Sequence, residues 1–197
     1  PTNWPFVIST VEGVNRWGFY LGAVGTFWVD WGDGTVEKID SSSTTRTWYS
    51  HEYKTPGKRT VKLGGRATGY SEGVAVIDFT SQYSYITTMS GSLGQIFPTL
   101  PDGTNPCFAN TFNGQVNMTT VHNGLFSGIY GQPVKDMFRN TFSNCWMLHY
   151  IGDGLFSGLS GVPAEGMFDG TFSNSSGITS IPENLFANCT EVTSFSY

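Results

Sequence analysis

Apolar positions in the second half of the chain recur every thirty residues. With Cys107, Met137 and Met167 aligned, Phe108, Phe138 and Phe168 share a column, as do Thr111-Phe112, Thr141-Phe142 and Thr171-Phe172. Leu125-Phe126, Leu155-Phe156 and Leu185-Phe186 form a third set, and Met118, Leu148 and Ile178 and then Val121, Ile151 and Ile181 form two more. A fixed period of this size is the mark of a solenoid, whose units bury their apolar columns by stacking on one another. Each unit reads as an aromatic block, a short strand-like stretch, a Leu-Phe pair and a Gly-rich return. The segment Pro163-Ala164-Glu165-Gly166-Met167-Phe168 is expected to make one or two helical turns.

The first half carries a different pattern. Residues 1 to about 75 show no repeat but hold short apolar runs at Phe6–Val11, Trp17–Leu21, Thr26–Trp31, Trp48–Tyr53 and Arg59–Leu63. The third of these alternates and runs into Gly32-Asp33-Gly34, a hairpin signal because Asp-Gly tolerates the positive φ of tight turns. A Pro56-Gly57 turn separates the last two. Five strands at short spacing with turn signals predict a small antiparallel β-sandwich.

Two resemblances rest on these residues. Val29-Asp30-Trp31-Gly32-Asp33-Gly34-Thr35, followed by His51-Glu52-Tyr53 and Thr55-Pro56-Gly57-Lys58-Arg59-Thr60-Val61, resembles the signature of polycystic-kidney-disease-type (PKD) domains. Those are Ig-like sandwiches of mostly extracellular proteins. The resemblance implies that His51 and Tyr53 pack and hydrogen-bond inside the sandwich while Asp33 shapes the turn. Arg59 departs from the family, which usually has an aromatic or other strand former there. The stretch Ile178-Thr179-Ser180-Ile181-Pro182-Glu183-Asn184-Leu185-Phe186-Ala187-Asn188-Cys189-Thr190-Glu191-Val192-Thr193-Ser194-Phe195 resembles the BspA-like leucine-rich repeat. That family occurs in surface and secreted proteins of gut and oral bacteria and of some protists, where it is linked to adhesion. The units here are longer than the common repeat of that family, and Ile77 to Pro106 fits the period only loosely.

The expected fold is therefore mainly β: a PKD-like, Ig-like sandwich over residues 1–75 and a leucine-rich-repeat-like solenoid over 76–197. The solenoid is expected to start with an atypical capping rung at about 77–106, followed by repeats 107–136, 137–166 and 167–197. Val192, Phe195 and Tyr197 begin a further rung, so the native protein is expected to continue, or another chain to cover this end. The start, Pro1-Thr2-Asn3-Trp4, reads as that of a mature or excised fragment with any export signal removed.

Composition narrows the function classes. Charged residues make up 13% of the chain, about half the usual share, beside 25 glycines and 15% aromatics. This balance suits an exported β-rich protein better than a cytosolic enzyme. The net charge of −5 and the lack of a Lys/Arg cluster argue against nucleic acid. No apolar run approaches the roughly 18 residues of a membrane span. Cys107, Cys145 and Cys189 fit no disulfide framework and no CxxC, and are expected as buried apolar filler.

Catalytic and metal ladders would appear as repeated polar columns, because stacked rungs set equivalent positions roughly 5 Å apart. None does. His122 aligns with Gly152 and His149 with Thr119 and Thr179, so the histidines do not stack. Asp30 and Asp33 fall short of the six to eight oxygens calcium prefers, and no cofactor or metal is expected. No carboxylate pair or Gly-x-Ser-x-Gly elbow points to a hydrolase. The middle unit departs from its neighbours by carrying Trp146, Met147, His149 and Tyr150 where they carry mostly Asn, Thr, Ser and Gly. Trp146, His149 and Tyr150 are the candidate ligand-binding residues, if they point outward and do not fill a wider core. The expected role is non-enzymatic recognition or adhesion at the cell surface, with host or microbial matrix proteins, or glycans, as partners. The alternative is a carbohydrate-binding accessory module of a larger polysaccharide-degrading protein.

Overall fold

Two antiparallel sheets occupy the first half of the chain. The computed structural model describes residues 3–80 and 84–190. Its strands are β1 (Phe6–Thr10), β2 (Val14–Leu21), β3 (Val24–Asp30), β4 (Val36–Ser41), β5 (Thr47–Gly57), β6 (Thr60–Gly69), β7 (Ile77–Asp78), β8 (Ile86–Gly91), β9 (Thr120–Val121) and β10 (Tyr150–Ile151). One sheet has the order β4-β3-β6-β1-β8 and the other β5-β2-β7. The chain is mainly β, and its two antiparallel sheets are consistent with a β-sandwich. No helix forms among the described residues, so none is long and apolar enough to cross a membrane.

The five apolar runs appear as β1, β2, β3, β5 and β6, and β3 turns into β4 through Gly32 and Gly34, both at positive φ. Trp31 N–H closes this hairpin on Thr35 C=O at 3.0 Å. The sequence pattern does not mark β4. It is an edge strand that buries Ile39 alone and shows Glu37, Lys38 and Asp40 to solvent or its margin, as edges do to discourage pairing with other chains. Between the sheets, Trp17 and Phe19 of β2 meet Trp31 with ring centroids 6.2 and 6.0 Å apart, and Phe79 stacks on Trp17 at 5.7 Å.

The segment expected to cap the repeats contributes to both sheets. β7 pairs with β2 and β8 pairs with β1, so residues on the far side of the expected 75/76 boundary complete the sheets on the near side. The same segment meets the first repeat unit. Val76 and Phe79 N–H donate to Cys107 and Thr111 C=O, and Thr119 N–H donates to Thr87 C=O in β8. Phe79 lies 5.3 Å from Phe112, its ring inclined by 27°. One hydrophobic core runs through both halves.

Beyond residue 107, hydrogen bonds follow the repeat. The N–H groups of Phe108, Asn110, Phe112 and Gly114 donate to Met137, Arg139, Thr141 and Ser143, each 29 residues on. Phe138, Asn140, Phe142 and Asn144 do the same to Met167, Asp169, Thr171 and Ser173. The intervening amides of Thr111, Asn113 and Gln115 close turns on Phe108, Asn110 and Phe112. Alternate amides therefore serve the neighbouring unit and the local turn, which satisfies a backbone lying in neither helix nor strand. The segment expected as helical at 163–168 is part of this turn system, with Met167 N–H bonded to Ala164 C=O at 3.2 Å. β9 and β10 pair in parallel, and Tyr150 lies opposite Thr120.

Side chains follow the same translation. Phe112, Phe142 and Phe172 lie 5.6 and 5.5 Å apart and within 11° of parallel, and Phe108, Phe138 and Phe168 form a matching stack. Thr141 and Thr171 hydroxyls donate to Phe108 and Phe138 C=O across units. Gln115 Nε2, Cys145 Sγ and Ser175 Oγ, in one column, donate to Phe79, Phe112 and Phe142 C=O. Two columns require left-handed backbone: Asn110, Asn140 and Gly170, and Gly114, Asn144 and Asn174, all with φ between 53° and 76°. Asn and Gly alternate there because they enter this region at least cost. Val121 and Ile151 are buried, whereas their column mate Ile181 is 55% exposed. Val192, Phe195 and Tyr197, expected to begin a further rung, lie outside the described residues.

Candidate functional site

The side chains expected to bind are placed by a spacing of three. Cys145, Leu148 and Ile151 point into the core, as Gln115, Met118 and Val121 do one unit earlier. The intervening positions must face out. Trp146 is 60% exposed, and Met147 and Tyr150 are each 54% exposed, so they do not fill a wider core. His149 is exposed as well, with Nδ1 3.1 Å from Met147 C=O. Four large side chains thus share the outer surface of one unit.

Their frame is firm. Met147, His149 and Tyr150 N–H donate to Val116, Thr119 and Thr119 C=O. On the other side Gly177 is pressed against the unit, since a Cβ there would lie 2.7 Å from Trp146 C=O and 2.6 Å from Leu148 C=O. The neighbouring units carry Val116, Asn117, Thr119 and Thr120, and Ser176, Gly177, Thr179 and Ser180, which are smaller and, Val116 apart, not hydrophobic. The large side chains therefore stand above a lower, mostly polar surround. Trp and Tyr rings with polar tips on a fixed backbone suit binding.

The Asp33–His51 pair has the appearance of a catalytic dyad, yet both Asp33 oxygens and His51 Nε2 are engaged in holding the hairpin. His51 Nε2 lies 2.8 Å from Asp33 Oδ2, and the ring is stacked on Trp31 at 5.4 Å and set edge-on to Tyr53 at 4.9 Å. Tyr53 Oη donates to Trp31 C=O at 2.8 Å. Partial burial pushes the Asp33 carboxyl up, but hydrogen bonds from His51 and Thr35 outweigh it and leave its pKa at about 2. Burial dominates at Tyr53 and raises its hydroxyl to about 12. The neighbouring Asp30 bonds Gly32 N–H and Lys62 Nζ, so both carboxylates of this turn are occupied by donors. Arg59 lays its guanidinium 4.1 Å from the Tyr53 ring centroid, a cation–π contact.

Burial drives the Cys145 thiol to about 12 and raises those of Cys107 and Cys189, which suppresses thiolate chemistry. His122 Nε2 is buried without a hydrogen-bond partner among the described residues, and burial lowers its pKa, which favours the neutral ring. Among the described residues no group of three His, Cys, Asp or Glu converges as a metal site.

A second concave region lies away from these residues. A groove of about 690 Å³ opens where β3 and β6 meet the segment after β8 and the turn at 128–130, and its lining includes Trp28, Arg66, Gln95 and Tyr130. No sequence signal marked it, because its residues come from five separate stretches with no common spacing. No family model matches this chain, and no curated protein and no solved structure matches it.

Proposed function

We propose that this chain is a non-enzymatic recognition module of an exported or cell-surface protein. It joins a PKD-type sandwich to a BspA-like leucine-rich-repeat solenoid and binds protein partners through the face carrying Trp146, His149 and Tyr150. The observation that carries this reading is the exposure of four large side chains in one unit, on a backbone bonded to both neighbouring units. The amides that link units 29 residues apart support the solenoid reading. The hairpin packing of His51, Tyr53 and Asp33 supports the PKD-type reading. The hydrogen bonds on both Asp33 oxygens and on His51 Nε2 fit a turn-shaping role for that pair.

The test is binding of the purified chain to immobilised matrix proteins, mucins and glycans, beside Trp146→Ala and Tyr150→Ala. Both side chains are exposed, so both variants should keep the wild-type fold by circular dichroism. Binding to a protein that falls at least about tenfold in the folded variants supports the proposal. Unchanged binding removes the middle unit from the reading. Binding to glycans alone, lost in the same variants, favours the carbohydrate-binding accessory module.

A further inference from the structure

The groove between the sheets and the repeats has the chemistry of a ligand site, and it shares no residue with the Trp146 face. Its floor is backbone. Gly94 lies so close to the following unit that a Cβ there would sit 2.4 Å from Ser127 C=O, and one on Gly65 would sit 2.2 Å from Thr26 C=O. The chain can cross at these points only without side chains, and the crossing leaves a trough flanked by larger groups. Trp28 on β3 and Tyr130 on the turn at 128–130 supply aromatic rings, while Arg66, Gln95 and Asn3 supply polar groups. The volume lies within the roughly 300–1,000 Å³ of small-ligand sites.

Tyr130 is the most telling member. Its side chain belongs to a residue 60% exposed, yet its backbone is held by buried polar groups. Tyr130 N–H donates to Thr99 Oγ1 at 2.9 Å, and Asn105 Nδ2 donates to Tyr130 C=O at 2.9 Å and to Gln132 C=O at 2.7 Å. The single hydroxyl proton of Thr99 goes to Asn105 Oδ1, the closer acceptor at 2.6 Å. Thr99 and Asn105 are 6% and 2% exposed. Burying two polar side chains to fix one turn costs stability unless each is satisfied, and here they are. An exposed aromatic on a backbone fixed in advance loses little entropy on binding.

Charge selects the ligand class. Arg66 is the sole ionisable side chain of the lining besides Tyr130, no acid lines the groove, and Arg66 has no ion pair among the described residues. This contrasts with a chain of net charge −5. Guanidinium geometry favours paired hydrogen bonds to a planar carboxylate, and aromatic rings beside the side-chain amides of Asn3 and Gln95 suit the faces and hydroxyls of sugar rings.

We propose that this groove is a saccharide-binding site selective for sugars bearing a carboxylate, with Tyr130 and Trp28 stacking on sugar rings and Arg66 pairing with the acid group. The probes are a hyaluronan tetrasaccharide, trigalacturonate and sialyllactose, with cellotetraose and lactose as neutral counterparts, each titrated into the chain by calorimetry and by the indole N–H resonance of Trp28. At least one acidic sugar should bind about tenfold or more tighter than its neutral counterpart. Arg66→Gln should abolish that preference, Tyr130→Ala should weaken binding about tenfold, and Trp146→Ala should leave both unchanged. Equal binding of neutral and acidic sugars overturns the proposal. So does unchanged affinity in folded Arg66→Gln and Tyr130→Ala, or no binding of any probe at millimolar concentration. Because Trp146 and Tyr150 are outside the groove, failure here and failure of the middle-unit reading show in different variants.

Discussion

The two halves of this molecule build their aromatic cores in opposite ways. In the first half the rings meet at varied angles: 73° between Trp17 and Trp31, 52° between Trp17 and Phe19, 60° between Phe19 and Phe79. In the second they are copied by translation, and Phe112 and Phe142 are within 4° of parallel. The sheets hold together by antiparallel registers set strand by strand. The repeats hold together by one pattern of donors used again and again. A varied core confines the effect of a substitution to its own neighbours. A copied core passes it along a column, since each Phe is at once floor and roof for the next.

The largest test of that contrast is Phe142→Ala. Phe142 is fully buried between Phe112 and Phe172, so its loss should cost about 3–5 kcal/mol in urea unfolding. Hydrogen exchange should quicken first at the amides of residues 108–114 and 138–144 and least in β3 and β6. Uniform acceleration across both halves would erase the distinction. A smaller effect is expected from Cys145→Val, which leaves Phe112 C=O with the Gln115 N–H alone and adds bulk to a packed site, and should cost about 1–2 kcal/mol. Cys145→Ser should cost less, because Ser175 already fills the same column with a hydroxyl donor.

Smaller again, Asn140→Ala keeps the β-carbon at φ 53° but removes the amide side chain that eases this region, and should cost about 1–1.5 kcal/mol by urea midpoint. Asn140→Gly should cost less, and equal losses would locate the cost in the Asn side chain instead. On the sheet side, Asp33 supplies the smallest effect. Its folded pKa of about 2 lies below the ordinary carboxylate value, so its contribution is present above about pH 4 and is lost as pH falls toward 2. Asp33→Asn should remove that part of the acid sensitivity at a cost of about 1 kcal/mol at neutral pH. An unchanged acid profile would assign the loss to other carboxylates.

What the sequence discloses follows from the range of each interaction. The repeat columns were legible because Phe112, Phe142 and Phe172 stand at a constant offset, and their stacking needs nothing else. The hairpin at Asp33 was legible because its determinants are adjacent. β4 was hidden because an edge strand with one buried residue shows no alternation worth reading. The pairing of β7 and β8 with β2 and β1 joins residues far apart in sequence, and no local signal carries it. The candidate face was partly legible. Its residues were named from the odd composition of one unit, and their direction was also encoded in the three-residue spacing of Cys145, Leu148 and Ile151. The groove was beyond reach, since Trp28, Arg66, Gln95 and Tyr130 meet only when the chain has folded.

The amides that each unit hands to its successor also make the array a ruler. Phe108, Asn110, Phe112 and Gly114 offer the next unit what Phe138, Asn140, Phe142 and Asn144 offer the one after. Every internal junction is thus interchangeable with the next. A unit gained or lost between them would displace everything downstream by one division, roughly 5 Å, and would leave the chemistry at both cut faces unchanged. Reach is therefore graded in small equal steps, while the groove and the sheets at the other end stay fixed.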